Sequence, residues 1–182
     1  CENVRNVEMK FQISNLKLQY PYLCAAMIQY FKNINGVTTA IEKADDETWV
    51  NILPPLKHEE FAEVSETLEI PVEFLQDSLD IDERSRFELE NNVKLIVIKT
   101  PTENNSFNES DSFYITIPIC IILTHNQIVT VNSFENGAIK KFLNTFQNRH
   151  PGKKNMMVVK IFEKITQTYM EYLKEINHRR NI

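Results

Sequence analysis

The sequence predicts a mixed α/β fold, a three-layer α/β/α sandwich with a mixed sheet and a long C-terminal helix that protrudes from it. Three observations predict this fold: strand-like runs joined by short turns, amphipathic helical segments between them, and helical spacing that continues from residue 154 almost to the chain end. Such an alternation places helices on the faces of one sheet. We divide the chain into an N-terminal extension without a clear period (1–26), an α/β/α domain (27–153) and the start of a long helix (154–182).

Length and composition fit a single domain. The chain has 182 residues, of which 42% are hydrophobic and 25% charged, and its net charge is −5. The negative charge gives no reason to expect a nucleic-acid partner. Residues 59–90 hold twelve carboxylates and two arginines, whereas residues 140–164 are basic. This uneven charge fits either solvated helix faces or an acidic surface that attracts cations.

Turn signals predict the first three strands. An Asn-Gly pair at 35–36 separates the runs IQYFKNI and VTTAIEK. This pair favours a tight hairpin, because both central positions of the turn need positive φ. Residues 48–53 form a third strand, which carries the only tryptophan, and two prolines at 54–55 end it.

Two amphipathic helices come next. The first has apolar residues at i, i+3 and i+7, the spacing of one helix face: Phe61, Val64 and Leu68. Pro71 suits the first turn of the second helix, where its missing N–H does no harm. The apolar face of this second helix consists of Val72, Leu75 and Leu79.

The second half of the domain again alternates strands and turns. An Asn-Asn pair at 91–92 separates RFELE from VKLIVIK and predicts a hairpin. A polar loop (102–112) precedes strands at 113–123 and 127–132, which turn at 125–126. The next helix has apolar residues at i, i+3, i+4 and i+7 and ends at Pro151-Gly152: Ile139, Phe142, Leu143 and Phe146.

The last helix begins near Lys154 and has no strong stop signal before the chain ends. Its apolar residues keep helical spacing over most of its length: Val159, Phe162, Ile165, Tyr169, Leu173 and Ile176. We therefore expect the chain to end inside a longer rod. No segment is long and apolar enough to cross a bilayer, since the longest apolar run covers only residues 113–123 and contains Pro118.

Several kinds of site are excluded by composition. The three glycines are too far apart for a Walker loop or a dinucleotide-binding turn. No histidine has another histidine or cysteine three or four positions away, so a structural zinc site is not expected. The three cysteines show no CxxC spacing and fit a reducing compartment without disulfides. No nucleophile motif is present, and we expect the chain not to be an enzyme.

Oxygen-rich sites for hard cations remain, because Mg²⁺ needs only one or two carboxylates and keeps much of its water. Asp77 lies ~160° around the second helix from its apolar face, so it faces solvent or a partner chain. Asp80, Asp82 and Glu83 come within the next six residues. Asp77 is therefore either a solubilising residue or a metal ligand, and in the first case Asp80 or Asp82 caps the turn while Arg84 and Arg86 neutralise the acids.

Several of these segments, in this order, resemble the soluble domain of the CorA family of magnesium transporters. The similar blocks are WVNIL with Trp49, a subsequent helix, FLQDSLDIDERSRFELENNVKLIVIKTP, and IPICIILTHNQIVTV. The resemblance covers residues 27–182. It implies an α/β/α domain on the cytoplasmic face of the cell membrane, attached through its last helix to transmembrane helices that this sequence lacks. It also implies a homopentamer around a pore with a Gly-Met-Asn selectivity loop, likewise not in this sequence.

The resemblance further implies that Mg²⁺ between neighbouring domains holds such a channel closed. Asp77 is similar to the family's regulatory aspartate, with Asp80 close by, and Glu163 matches a second acidic position. Gln76 and Gln167 stand where some members carry acids, so we expect fewer or weaker regulatory Mg²⁺ ions here. Relatives that handle zinc or cobalt share this architecture, and the transported ion is selected in the pore.

Two other functions stay open from the sequence. The chain could be a stand-alone interaction module that pairs through its last helix. It could also be an enzyme that uses the acidic residues with bound Mg²⁺. The coding sequence beyond residue 182 separates the first alternative from a channel domain, and a phosphate-ester turnover screen with added metal tests the second.

Overall fold

A computed structural model describes residues 27–35, 37–53, 58–104, 112–132, 138, 139, 142 and 154–180. Several predicted features lie outside these residues: the N-terminal extension, the prolines at 54–55, most of the loop at 102–112, most of the helix around Phe142, and Pro151-Gly152. The predicted α/β/α architecture with a long C-terminal helix is confirmed in the part of the chain that is described.

The described residues form one seven-stranded mixed sheet and three helices, with further helical residues at 138, 139 and 142. The strands are β1 (Met27–Ile34), β2 (Val37–Ile41), β3 (Trp49–Leu53), β4 (Arg86–Glu90), β5 (Val93–Glu103), β6 (Tyr114–Leu123) and β7 (Ile128–Asn132). The helices are α1 (His58–Leu68), α2 (Val72–Asp77) and α3 (Lys154–Arg180). The strand order is β2-β1-β3-β7-β6-β5-β4, in which β3 and β7 pair in parallel and all other neighbours are antiparallel.

The hairpins form where the sequence predicts them. Asn35 has φ of 54° in the β1–β2 turn, and Asn91 and Asn92 have φ of 48° and 65° in the β4–β5 turn. Asparagine tolerates this left-handed conformation better than most residues, because its short polar side chain can bond locally. These turns set the register of each hairpin, so that Glu90 pairs with Val93.

The Asn92 turn can be tested by substitution. We expect Asn92→Ala to lower the free energy of unfolding by about 1 kcal/mol, because alanine pays the steric cost of positive φ, whereas Asn92→Gly should lose nothing. Urea unfolding followed by tryptophan fluorescence measures both. Equal stability of the alanine and glycine variants would show that the turn does not hold Asn92 in this conformation.

Helices α1 and α2 cover one face of the sheet, where a core of alternating strand residues lies against both helices. The strand residues are Val50, Ile52, Val93, Leu95, Val97, Cys120, Ile122, Val129 and Val131, and the residues from the helices and the turn between them are Phe61, Val64, Leu68, Ile70, Phe74 and Leu75. The predicted face of α1 is confirmed. Helix α2 begins one residue later than predicted, since Pro71 precedes it with ψ of 131°. Of the predicted apolar face, Leu75 is buried, Val72 and Leu79 are partly buried, and Leu79 lies beyond the helix end; Phe74 is the other buried residue.

Helix α3 and the described residues around Phe142 cover the other face. The core there consists of Trp49, Ile119, Ile121, Leu123 and Ile128 from the strands, packed against Ala138, Ile139, Phe142, Met157, Val158, Ile161 and Ile165. Trp49 is fully buried and its ring lies between those of Phe31 and Phe142, with centroid distances of 5.1 and 5.2 Å. The sandwich therefore has two separate cores, one on each side of the sheet.

A buried polar chain crosses the centre of the sheet. Trp49 Nε1 donates to Thr130 Oγ1 at 3.0 Å, and this hydroxyl donates to Asn51 Oδ1 at 2.8 Å. Asn51 Nδ2 in turn donates to Gln29 Oε1 at 3.0 Å. Because buried polar groups are costly when unpaired, these bonds specify how β1, β3 and β7 align.

The 27 residues of α3 form one continuous helix, but its buried face differs from the apolar spacing in the sequence. Of the six residues that carry that spacing, only Ile165 is buried, while Val159, Phe162, Leu173 and Ile176 are exposed. The buried residues are Met157, Val158, Ile161, Ile165 and Thr168. The helix thus carries one apolar stripe against the sheet and a second on its exposed side.

The C-terminal half of α3 lies against the end of the β5–β6 pair. This pair extends to Glu103 and Tyr114, past the last residues paired with β4 and β7. Tyr169 Oη donates a hydrogen bond to the Lys99 carbonyl at 3.3 Å. The rings of Tyr172 and Tyr114 stack with their centroids 4.5 Å apart. The Arg179 guanidinium lies 5.1 Å from the centroid of the Phe113 ring. These contacts orient the exposed end of the helix relative to the sheet.

Candidate functional site

Asp77 is the last residue of α2, a short helix held by the core beneath it. Phe74 and Leu75 are 2% and 0% exposed, whereas the Asp77 side chain is 37% exposed. The helix ends at Ser78, whose buried hydroxyl donates to the Leu75 carbonyl. The sequence prediction that Asp77 points away from the core is therefore compatible with its position, and its carboxylate lies at the protein surface.

Arg86, the first residue of β4, binds this carboxylate. Its Nη2 lies 2.5 Å from Asp77 Oδ2, its Nη1 contacts Glu83 Oε1, and its Nε lies 3.1 Å from Glu88 Oε2. One guanidinium thus joins acids from α2, the loop after it and β4. Arg86 can do this because its planar fork of five donors serves several carboxylates at once.

The local electrostatics favour this arrangement. Partial burial acts to lower the Arg86 pKa, but hydrogen bonds to Glu88 and Asp77 raise it by more, so that the pKa lies above its ordinary value.

Cys120 lies on the same face of the sheet as Arg86, two strands away. Arg86 on β4 pairs with Val97 on β5, and Val97 pairs with Cys120 on β6. Burial raises the Cys120 thiol pKa to about 12, so this cysteine is an inert core residue.

Asp80 lies on the loop after α2, and its side chain is exposed. Its Oδ1 accepts the Asp82 backbone N–H at 2.9 Å, a local bond that shapes the turn. Lys99 Nζ donates to the Ile81 carbonyl at 3.3 Å and fastens the loop to β5. Of the three acids predicted as metal ligands, Asp77 and Asp80 therefore lie on the same side of the sheet, three residues apart.

Glu163, the third predicted ligand, lies elsewhere. It is an exposed residue of α3, and α3 covers the face of the sheet opposite to α1 and α2. Its carboxylate pairs with Lys160 Nζ at 2.5 Å, and Gln167 Nε2 lies 3.5 Å from it. Within one copy of the chain, the fold does not bring Glu163 and Asp77 together.

The donor set suits a hard cation but is incomplete in one chain. Carboxylate oxygens are the preferred ligands of Mg²⁺, which retains several waters. Among the described residues, no group of three or more histidine, cysteine, aspartate or glutamate side chains is arranged to hold a metal ion. Asp77 and Asp80 therefore do not form a complete cation site with other described residues of the same chain.

Sequence reasoning missed the central position of Arg86. It grouped Arg84 with Arg86 as neutralising charges, yet in the described part of the chain only Arg86 forms ion pairs with the acids. One signal was available: Arg86 and Glu88 are two apart in a predicted strand and so share a face. Their meeting with Asp77 depends on how α2 packs on the sheet, which local spacing does not reveal.

A recess lies beside the β6–β7 turn, away from Asp77. Its volume is about 320 Å³, and its lining residues are Asp46, Glu47, His125, Asn126 and Lys154. Lys154 Nζ donates to the Thr124 carbonyl at 2.7 Å and also to that of His125. The lysine thereby docks the start of α3 on the turn, which is a structural role.

Comparison with known proteins identifies the family. The model of the family described as CorA-like Mg²⁺ transporter protein matches residues 45–182. A search of curated proteins finds no match. Within the described residues, no helix combines the length and the apolar character needed to cross a membrane.

Solved structures share the fold. The soluble domain of CorA from Methanocaldococcus jannaschii matches with a TM-score of 0.70 and 21% identity, over 87% of this chain and 63% of that one. The complete CorA magnesium transporter from the same organism matches with a TM-score of 0.66 and 22% identity, over 86% of this chain and 49% of that one. The ZntB cytoplasmic domain from Vibrio parahaemolyticus matches with a TM-score of 0.65 and 14% identity, over 86% of this chain and 64% of that one.

The chain thus spans less than two thirds of each of these structures. Their agreement in fold covers the sheet, the helices on both faces and the long C-terminal helix. The family match includes strands β3 to β7, helix α2 with Asp77 at its end, and all of α3. From the family match and the shared fold together, we conclude that this chain belongs to the CorA-like Mg²⁺ transporter family, which is a family of transporters rather than enzymes.

Proposed function

We propose that this chain is the ion-sensing, regulatory part of a CorA-like divalent-cation channel, without catalytic activity of its own. It would lie at the cytoplasmic face of the cell membrane and assemble as a homopentamer in the longer protein. The observation that carries the proposal is the Asp77 carboxylate, which a core-anchored helix holds at the surface beside the exposed Asp80. This position lets a neighbouring chain supply further ligands.

The mechanism depends on electrostatics. Carboxylates that approach across a subunit interface repel one another, and a divalent cation between them turns the repulsion into attraction. A ligand shifts a conformational equilibrium only by its difference in affinity for the two states. Mg²⁺ bound between Asp77 and a neighbouring chain would favour the compact, closed ring, and loss of Mg²⁺ would release it.

The proposed regulatory ion is weakly held. Asp77 and Asp80 are its proposed ligands on this face, Asp77 is already paired with Arg86, and Gln76 adds no charge. Glu163 belongs to the opposite face of the sheet, so its proposed role is at a separate contact between subunits. Because Gln167 is neutral and Lys160 pairs with Glu163, that second contact would bind Mg²⁺ weakly at most.

Asp77→Ala in the longer protein tests the proposal. We expect the Mg²⁺ concentration that half-inhibits uptake to rise by at least about fivefold, since allosteric couplings of this kind are typically 1–3 kcal/mol. Uptake is measured in vesicles as a function of internal Mg²⁺. Glu66→Gln on the exposed side of α1 is the control for loss of one negative charge. Inhibition unchanged from the wild type would remove Asp77 from the mechanism.

A second candidate function is an interaction module that pairs through α3. The exposed apolar residues on this helix favour it, since Val159 is 57% and Leu173 51% exposed. A Leu173→Glu variant distinguishes the two functions. Loss of self-association in sedimentation velocity, with Mg²⁺ regulation intact, would support the module over the sensor.

A further inference from the structure

The side chain of Asn132, the last residue of β7, is buried with its hydrogen-bonding groups unpaired. Asn132 is 1% exposed, and neither its Nδ2 nor its Oδ1 bonds to another described residue. Thr100 Oγ1 is the other buried side-chain atom of this kind in the described part of the chain. The amide is the more costly of the two, because it leaves a donor and an acceptor unpaired. Folded proteins pair nearly all such groups, either with protein atoms or with ordered water.

Asn132 lies next to the buried polar chain that crosses the sheet. Residues two apart on a strand share a face, so Asn132 is on the α3 side together with Thr130, two residues earlier on β7. Thr130 Oγ1 accepts from Trp49 Nε1 and donates to Asn51 Oδ1. Because a hydroxyl oxygen has two lone pairs, Thr130 can accept one more hydrogen bond. An acceptor and an unpaired amide are therefore neighbours on one buried strand.

The spacing of these two residues suits one bridging water molecule. Positions two apart on a strand are about 6.8 Å apart, which is too far for a direct hydrogen bond. Two polar atoms that share one water lie about 5.5–6 Å apart, twice the length of a single hydrogen bond. Rotation of the Asn132 side chain can supply the difference. A buried water commonly makes about three hydrogen bonds, so one more polar group is needed.

The ends of the central strands can supply that group. Strands β3 and β7 run parallel and pair as far as Val131, so both end at the same edge of the sheet. The chain leaves β3 towards α1 on one face and β7 towards the helical residues 138, 139 and 142 on the other. At such a point the carboxyl ends of the strands are where α/β proteins hold ligands. Asn132 is almost fully buried and pairs with the core residue Ile119, so a ligand beside it has to be small and neutral.

We propose that Asn132 holds at least one internal water molecule, which links its amide to the hydroxyl of Thr130. The water accepts a hydrogen bond from Asn132 Nδ2 and donates one to Thr130 Oγ1. It thereby extends the polar chain that begins at Gln29 to the end of β7, where the chain leaves the sheet. This inference goes beyond the proposed function, since it concerns the centre of the sheet and involves neither Asp77 nor Mg²⁺.

Magnetic relaxation dispersion of the solvent tests the proposal, because it counts internal waters that stay bound for longer than the protein takes to tumble. The 182-residue chain is compared with Asn132→Leu, whose side chain has a similar shape but neither donor nor acceptor. We expect this variant to lose at least one long-lived water. Thr168→Val is the matched control, because it removes a buried hydroxyl on α3 that already bonds to the Lys164 carbonyl at 2.9 Å. It should keep the wild-type number.

A high-resolution crystal structure of the wild-type chain is the second measurement, and it does not depend on whether the variants fold. We expect a water within hydrogen-bond distance of both the Asn132 amide and Thr130 Oγ1. Two results would overturn the inference. One is equal numbers of long-lived waters in Asn132→Leu and Thr168→Val. The other is a crystal structure in which the Asn132 amide bonds to protein groups alone.

Discussion

Trp49→Ala is expected to lower the free energy of unfolding by about 3–5 kcal/mol, the range seen when a large buried aromatic residue is truncated. Trp49 is fully buried, its ring packs between Phe31 and Phe142, and its Nε1 donates to Thr130. Removing it leaves a cavity in the core under α3. Urea unfolding followed by far-ultraviolet circular dichroism measures the effect, because the variant contains no tryptophan.

Two further variants make the Trp49 result specific. Trp49→Phe keeps an aromatic ring but has no donor for Thr130, so its loss of stability should lie between those of the wild type and Trp49→Ala. Phe113→Ala, at a residue 53% exposed, should change the stability by no more than about 1 kcal/mol. If Trp49→Ala were as stable as Phe113→Ala, Trp49 would not be in the core as described.

Phe74→Ala is the second variant with a large expected effect, again about 3–5 kcal/mol. Phe74 is 2% exposed and, with Leu75, anchors α2 to the sheet. Because α2 positions Asp77 beside Arg86, loosening the helix should also weaken the Mg²⁺ response of the longer protein. Urea unfolding of the variant can be followed by the fluorescence of Trp49, which lies on the other face of the sheet.

Phe87→Ala is the matched control, since it removes the same side chain from a residue that is 63% exposed. We expect it to change the stability by less than about 0.5 kcal/mol. Similar losses in Phe74→Ala and Phe87→Ala would contradict the anchoring of α2. A large loss in Phe74→Ala with an unchanged Mg²⁺ response would separate the stability of α2 from the function of Asp77.

Much of the fold could be predicted because its signals are local. Turn residues such as Asn35 and Asn92 indicated the hairpins. Both have positive φ angles, as the central positions of a tight hairpin turn require. The spacing of apolar residues predicted α1, and helical spacing that continues over most of its length predicted α3. The start of α2 differed by one residue, because Pro71 fits equally well just before a helix and in its first turn.

The candidate site was predicted only in part. The surface position of Asp77 was predicted from helical spacing, whereas a turn-capping role for Asp80 or Asp82 was only one of two alternatives, the other being a metal site. Glu163 was matched by resemblance alone, and the fold sets it on the opposite face from Asp77. The contacts of Arg86 join residues from three elements, and no spacing rule within one element predicts such a meeting.

The amino-acid sequence by itself determined most of the elements, the positions of the hairpin turns and the layered class of this protein, because these depend on residues that are near one another in the chain. The tertiary structure alone decided that β3 pairs in parallel with β7, which stripe of α3 is buried, and that Arg86 holds Asp77. Each of these depends on contacts between residues far apart in the chain. Such contacts form only when whole elements pack, so their free energies are shared among many residues and leave no local pattern.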